Sequence, residues 1–191
     1  MNIKIITGSV RKGRIGPQIS EWICKAVGES QLPLHPETID LTEWNLPMDD
    51  EAYLPATGNY EQPHTLLWSK KIAEGDMFVF VFPQYNWGYP AALKNAIDHL
   101  YNEWKEKPAL IVTYANRGGG KAAAQLRQVI DGIHMINLSS GLEIKLSEIT
   151  LDLEGQIEHP DMQLSKYLPD LMALLNEGYN EKEKLQQKYQ E

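Results

Sequence analysis

Two arginines three residues apart, Arg11 and Arg14, follow Gly8-Ser9 and precede Gly16-Pro17. Guanidinium groups grip phosphate through paired, charge-assisted N–H donors. A loop carrying two of them, and opening a helix whose first amides and positive dipole end face the loop, suits a phosphomonoester. Taken alone, it fits an ordinary βα loop with solvated basic residues almost as well. A second segment, Pro83-Gln84-Tyr85-Asn86-Trp87-Gly88-Tyr89-Pro90, sets aromatics at 85, 87 and 89 around Asn86 and Gly88. Aromatic faces beside backbone amides suit a planar, mostly apolar ring with polar edges, although packing in a core is the commoner use of such side chains. Pro83, Gly88 and Pro90 stiffen this backbone and favour a site. A third segment, Gly118-Gly119-Gly120, lets the main chain approach a ligand and donate amides without side-chain obstruction. Lys121, next to it, reads as solvent-exposed.

Other chemistry is poorly supplied. The five histidines (35, 64, 99, 134, 159) are scattered, with no pair at i, i+4, which argues against a preformed metal site. Asp98 and His99 fall on a helical stripe, where polar residues usually serve structure or an interface. Cys24 borders the apolar face of the first helix and reads as a small packing residue.

Each of the three segments follows an apolar, β-branched run and precedes a helix, so the elements that must position them can be traced. Residues 2–7 read as a buried strand. A helix from Gly16-Pro17 carries Ile19, Trp22, Ile23, Ala26 and Val27 on one face. Residues 37–41 form a weaker strand near an edge. Residues 42–60, rich in Pro, Asp and Asn, read as a long surface loop of the kind that often has a function. A helix follows over about 62–73, and 77–82 is the most apolar strand and so the central one. The helix from Pro90 keeps its stripe through Leu93, Ala96, Ile97, Leu100, Tyr101 and Trp104, more than three turns. Strand 108–114, a helix bearing Ala122, Leu126, Val129, Ile130 and Ile133, and a short strand at 143–146 complete the alternation. Leu164, Leu168, Leu171 and Leu175 suggest a closing helix with a possible break at Pro169, and the charged tail from Asn180 to Glu191 is expected to fray or project.

Five strands alternating with helices imply a doubly wound, five-stranded parallel sheet with helices on both faces, order 2-1-3-4-5. In such sheets ligands bind outside the carboxyl ends of the strands, where all three segments lie. The first loop is neither G-x-G-x-x-G nor a Walker loop. The chain has 191 residues, no repeat and no linker, so one domain spanning 1–191 with a charged helical tail from about 178 is the economical expectation. A net charge of −8 argues against nucleic acid and anionic membrane as partners. One cysteine, no signal-like start and no long apolar run point to the cytoplasm.

At these segments the chain resembles the NAD(P)H-dependent FMN reductases, flavodoxin-like flavoproteins that include quinone and azo-dye reductases. Gly8-Ser9-Val10-Arg11 matches their G-S-x-R. Pro83, Tyr85, Asn86, Gly88, Pro90, Leu93, Lys94, Asn95, Ile97 and Asp98 match P-x-Y-N-x-[GS]-x-P-x-x-L-K-N-x-I-D without a break. Gly118 and Gly119 match the glycine-bearing loop after strand four. The likeness spans residues 3–146, and its second motif is the specific one. It implies a flavodoxin-like fold and FMN as cofactor, with NADPH or NADH as co-substrate. The implied partners are a quinone, free flavin or azo compound as small-molecule electron acceptor, and a second copy in a homodimer, with a tetramer as the variant. It assigns Ser9, Arg11, Arg14, Ile15 and Gly16 to the FMN phosphate. Pro83, Gln84, Tyr85, Asn86 and Trp87 go to the isoalloxazine ring, and Tyr114, Gly118 and Gly119 to its pyrimidine edge. Many members have Ser where this chain has Arg14. Family dimers often use the helix after the second motif. Tyr101 and Trp104 there fit either an interface or a buried intramolecular face. Electrons would pass from the nicotinamide through FMN to the acceptor, with no catalytic side chain required. The rival readings are a flavodoxin-type electron carrier and a flavin-dependent redox-sensing partner protein.

Overall fold

Seven consecutive residues of one strand, Met77–Pro83, are buried, and they organise everything around them. In the computed structural model, which describes residues 1–188, this strand is β3. It lies between β1 (Asn2–Thr7) and β4 (Pro108–Ala115), with β2 (His35–Asp40) beyond β1. Every pairing is parallel. Successive side chains of a strand point to opposite faces, so an unbroken apolar run demands cover on both. Met77, Val79 and Val81 pack with α1 (Gly16–Glu29) and, near the C-terminus, α5 (Pro160–Leu164) and α6 (Leu168–Lys188). Phe78, Phe80 and Phe82 pack with α2 (Pro63–Ala73), α3 (Ala91–Asp98) and α4 (Gly120–Gly132). The expected order 2-1-3-4-5 and the two helical layers are what the structure shows.

The fifth position is divided. β5 (Ile136–Asn137) pairs with Pro108 and Ala109 at the start of β4, and β6 (Leu142–Lys145) pairs with Val112 to Ala115 at its end. A two-residue strand carries no periodicity, which is why the sequence pointed only to 143–146.

Two helix readings need correction. The helix after Pro90 stops at Asp98, and Asn102–Trp104 is a separate 3-10 turn. Tyr101 (φ −141°, ψ −56°) breaks the helical path. The stripe continued because the turn also faces the core: Trp104 is fully buried, its ring 5.1 Å from that of Phe78 and its Nε1–H donating to Ile97 O at 3.1 Å. Of the two roles open to Trp104, the intramolecular one holds. Pro169 breaks nothing. It lies in the first turn of α6, where a missing N–H is harmless, and the interruption precedes it as a 3-10 turn over Ser165–Tyr167. The charged tail continues as helix, in line with the helical tail expected from about 178: α6 runs on through Lys188, while positions 189–191 fall outside the described residues.

The long loop over 42–60 is docked. Asn95 Nδ2 donates to Leu46 O and Pro47 O at 3.1 and 2.9 Å, and His99, fully buried, bridges Thr65 Oγ1 and Pro47 O at 3.2 and 2.9 Å. The Glu51 carboxylate accepts from the amides of Glu61 and Gln62. His99 therefore serves structure. Cys24 packs against the α1 side of the core, as expected.

At the opposite end of the sheet from the three segments, the side chain of Lys4 is only 4% exposed and ion-paired with Glu37 and Glu74, which Lys71 also bridges. Hydrogen bonds from Lys71 and then Lys4 hold the Glu74 carboxyl down at about 2, and bonds from Lys4 and then Lys71 lower that of Glu37. A carboxylate whose folded value is depressed adds stability above its ordinary value, and that stability is lost as pH falls towards the folded one. The window here runs from 4.5 down to about 2. Lys4→Met keeps the apolar stem and removes the buried charge. We expect the variant to lose less stability than wild type between about pH 6 and about pH 3, so that their urea midpoints converge in acid. Parallel midpoint curves would show that Lys4 does not couple to these carboxylates.

Candidate functional site

The carboxyl ends of β1, β3, β4 and β6 frame a cleft of about 450 Å³. It lies beside the point where the chain's path across the sheet reverses, between β1 and β3, the usual ligand position in such sheets. Main-chain bonds fix the three segments to one another. Gly8 N–H donates to Val81 O at 2.8 Å and Gln84 N–H to Tyr114 O at 3.3 Å.

Loop one supplies the basic wall. Arg11, Lys12, Gly13, Arg14 and Ile15 all line the cleft. The first amides of α1, like those of α2, α3 and α4, receive no side-chain cap, and those of α1 are the ones that adjoin the basic loop. Ser9 lies elsewhere: it is fully buried, 2.8 Å from the Tyr85 hydroxyl, and accepts the Arg11 amide at 3.4 Å. It holds loop one to loop two and does not line the cleft. Arg14 is tethered as well. Its Nη2 pairs with Asp40 and donates to Thr42 Oγ1 at 3.1 Å, which ties loop one to the end of β2. Its buried Nε has no partner among the described residues. The buried Tyr114 hydroxyl completes no regular hydrogen bond among the described residues either, although the Gly16 amide and the Ser9 hydroxyl lie near it. Burial first, then the nearby Tyr85, pushes that phenol up, with Arg14 opposing, so it stays a protonated donor at neutral pH. Gly16 is required at its position because a Cβ would lie 2.8 Å from Tyr114 Oη and 3.0 Å from Thr7 Cγ2.

Loop two separates the three aromatics that the sequence placed on one wall. Pro83, Gln84 and Tyr85 line the cleft. Tyr85 and Gly88 exchange both main-chain hydrogen bonds at 2.9 Å, closing a hairpin turn over Asn86 (φ 47°) and Trp87 (φ 72°). Two positive φ values in a two-residue turn are the mark of a type I′ hairpin. Asparagine tolerates this region, whereas tryptophan is strained in it. Trp87 is nevertheless displayed, 62% exposed, with Lys121 Nζ 3.5 Å from its ring centroid. Lys121 is solvent-exposed, as expected, and also covers an indole face. Tyr89 turns inward to meet Phe82 edge-on.

Loop three lies one step behind the cleft. Gly118 (φ 92°) and Gly119 (φ 100°) are buried, and a Cβ on Gly119 would meet Thr113 Cβ at 2.9 Å. They make the turn, held by Thr113 Oγ1–H donating to Gly118 O at 2.8 Å, and it is Ala115 and Asn116 that reach the cleft wall. Of the residues expected at the site, Arg11, Arg14, Ile15, Pro83, Gln84, Tyr85 and Tyr114 converge on the cleft, while Ser9, Gly16, Asn86, Trp87, Gly118 and Gly119 support or flank it. Lys12 and Gly13 fall within the loop up to Gly16-Pro17 that the resemblance assigns to the phosphate, although neither is singled out there, whereas Ala115 and Asn116, which adjoin named residues, are missed. Sequence reasoning also missed Leu146 and Leu151, which no motif or periodicity marks.

A family model described as NADPH-dependent FMN reductase matches residues 1–145. An NAD(P)H-dependent FMN reductase of Schizosaccharomyces pombe is 42% identical over 177 residues, covering 92% of this chain and 87% of that one. An NADPH:quinone oxidoreductase of Arabidopsis thaliana is 33% identical over 143 residues, 72% of this chain and 71% of that one. Among solved structures, the flavoenzyme NAD(P)H:(acceptor) oxidoreductase FerB of Paracoccus denitrificans superposes with a TM-score of 0.71 at 20% identity, covering 94% of this chain and 98% of that one, a likeness of fold. The chain belongs to the NADPH-dependent FMN reductase family. Two buried donors without partners, Arg14 Nε and Tyr114 Oη, beside basic side chains and uncapped helix amides, fit the phosphate of FMN.

The strained turn is directly testable. Trp87→Gly relieves a left-handed non-glycine residue and removes the Lys121 contact, for a net gain of about 0.5–1 kcal/mol in thermal unfolding. A loss of stability would show that the contacts of the indole outweigh its strain.

Proposed function

We propose that this member of the family carries electrons from NADPH or NADH, through FMN held in the cleft, to a quinone, free flavin or azo compound. The observation that carries the reading is the pair of unpartnered buried donors at the head of α1, where Arg11 and Lys12 add local positive charge to a chain of net charge −8. Arg11, Lys12, the amides over 13–16, Arg14 Nε and the Tyr114 hydroxyl would hold the phosphate. Pro83, Gln84 and Tyr85, with the hairpin at Asn86-Trp87, would border the ring, and Ala115 and Asn116, set by the turn at Gly118-Gly119, its pyrimidine edge. Ser9 and Gly16 act one step back, by fixing Tyr85 and by letting Tyr114 approach α1.

Bound FMN supplies the two-electron relay between nicotinamide and acceptor. The chain binds and orients. Tyr114, kept protonated, donates without titrating near neutral pH. The Trp87 hairpin leaves an aromatic surface beside the cleft for a planar substrate to approach.

Two further readings belong with this one. Met48, Tyr53 and Leu54 on the docked loop and Leu66 and Leu67 on α2 are all exposed, which supports association with a second copy through that side. Among the described residues no helix is long and apolar enough to cross a membrane. A cytoplasmic location is our own reading, supported by the single cysteine, which suits a reducing compartment.

The purified protein should be yellow or become so with FMN, be bleached anaerobically by NADPH or NADH, and recover its colour on adding a quinone. A preparation that neither carries nor takes up FMN would end the reading, and one that binds FMN but is never bleached would leave an electron carrier. Tyr114→Phe separates phosphate binding from folding. It removes a hydroxyl that completes no regular hydrogen bond among the described residues, so unfolding of the FMN-free protein should change by less than about 1 kcal/mol, while FMN affinity falls by about tenfold for one lost hydrogen bond. Equal FMN affinity would remove Tyr114 from the phosphate site.

A further inference from the structure

The family model ends at residue 145, yet two of the cleft's lining side chains, Leu146 and Leu151, lie beyond it. They face a cleft whose other wall is basic. Leu151 remains 40% exposed there, while Ile157, its partner across the hairpin, is buried in the core. The segment that carries it is firmly placed. Leu151 bridges Ile157 across a hairpin, and the turn is closed by the Asp152 carboxylate accepting from the amides of Glu154 and Gln156 at 3.0 and 2.8 Å. Gln18, in the first turn of α1, grips the far strand through both ends of its amide: Ile157 N–H donates to Oε1 at 2.8 Å, and Nε2 donates to Ile157 O at 3.2 Å. Gln163 clamps the near strand at Thr150 in the same two-ended way. Ser147 Oγ–H donates to Asn116 O at 2.8 Å, joining the segment to the loop after β4.

The segment is thus anchored at once to the helix that opens at the basic loop and to the loop that borders the cleft on the other side. We propose that the 146–157 segment forms an acceptor-selecting wall, in which Leu151, with Leu146, makes apolar contact with a hydrophobic quinone and Gln18 positions that wall. The inference rests on the reading of the cleft given above. It follows from a division of labour along the chain. The basic and main-chain groups that suit the phosphorylated cofactor lie within 1–145, and what the later segment adds is apolar and reachable from solvent. Such a wall favours an exchanging, poorly soluble planar molecule over an ionic one, because burying apolar area is favourable whatever the partner's detail while an anion gains nothing from it.

The test uses the FMN-loaded protein with NADPH as donor and two acceptors, menadione and ferricyanide. Leu151→Ser should raise the ratio of KM for menadione to KM for ferricyanide by about five- to tenfold, the scale of one lost apolar contact. Leu151→Met should bring the ratio back to within about twofold of wild type, since the volume and apolarity are kept. Gln18→Ala should move the ratio the same way through a displaced hairpin. An unchanged ratio in Leu151→Ser overturns the proposal. So does a loss of FMN affinity, measured by flavin fluorescence, that parallels the change in KM, because the leucine would then belong to the cofactor's site. If wild-type protein fails to bind FMN or to be reduced by NADPH, the underlying reading fails first, and the acceptor wall with it.

Discussion

Complete burial of β3 is the constraint on which the rest depends. A strand with phenylalanines on one face and Met77, Val79 and Val81 on the other cannot slip by a residue without exchanging the two sets. Each layer of helices is shaped to one set, so register is fixed. Pro83 to Tyr85 then emerge at one height relative to β1 and β4, where Gly8 meets Val81 and Gln84 meets Tyr114. The cleft's geometry is in this sense a product of the core: hydrophobic burial in the sheet decides where polar loop atoms stand.

On that frame the loops brace each other. Ser9 links loop one to Tyr85, Arg14 links it to Asp40 and Thr42, and Ser147 links the late segment to Asn116. Groups expected to meet a ligand are in part the braces that hold other groups out to it. Among the described residues, the buried donors left unpartnered, Arg14 Nε and Tyr114 Oη, stand out against that background. Buried donors in folded proteins nearly always have partners. A preorganised site is one place where a chain tolerates exceptions, and the left-handed Trp87 is a backbone exception in the same neighbourhood.

Much of this was legible in the sequence, for reasons that can be named. The strand order followed from apolar runs alternating with amphipathic helices. Loop two was marked by its prolines, Gly88 and a long motif, and loop one by two arginines ahead of a helix. The failures were physical as well. Apolar spacing cannot tell a helix from a helix plus a core-facing turn, so the stripe through Trp104 overstates the length of α3. Residue type cannot tell which way a side chain turns, so Tyr85, Trp87 and Tyr89 were placed together although they point to the cleft, to solvent and to Phe82. Glycines mark where the backbone bends, and here the bend lies behind the wall formed by Ala115 and Asn116. Leu151 had no local signal, because its role arises from Gln18, 139 positions from the hairpin residue it holds, Ile157.

The divided outer strand has one more effect. Only two residues of β5 and four of β6 flank β4, and Ile111 between them has Gly141 pressed close, where a Cβ would lie 2.8 Å from the carbonyl oxygen of Ile111. The interrupted margin offers no long ladder of free amides for an incoming chain. At the other margin β2 carries Pro36, which has no amide hydrogen, and Glu37, tied into the lysine cluster. Both borders are thereby poor templates for strand addition. Growth into fibrils by lengthening of the sheet is disfavoured from either side, which leaves helices and loops as the better surfaces for assembly.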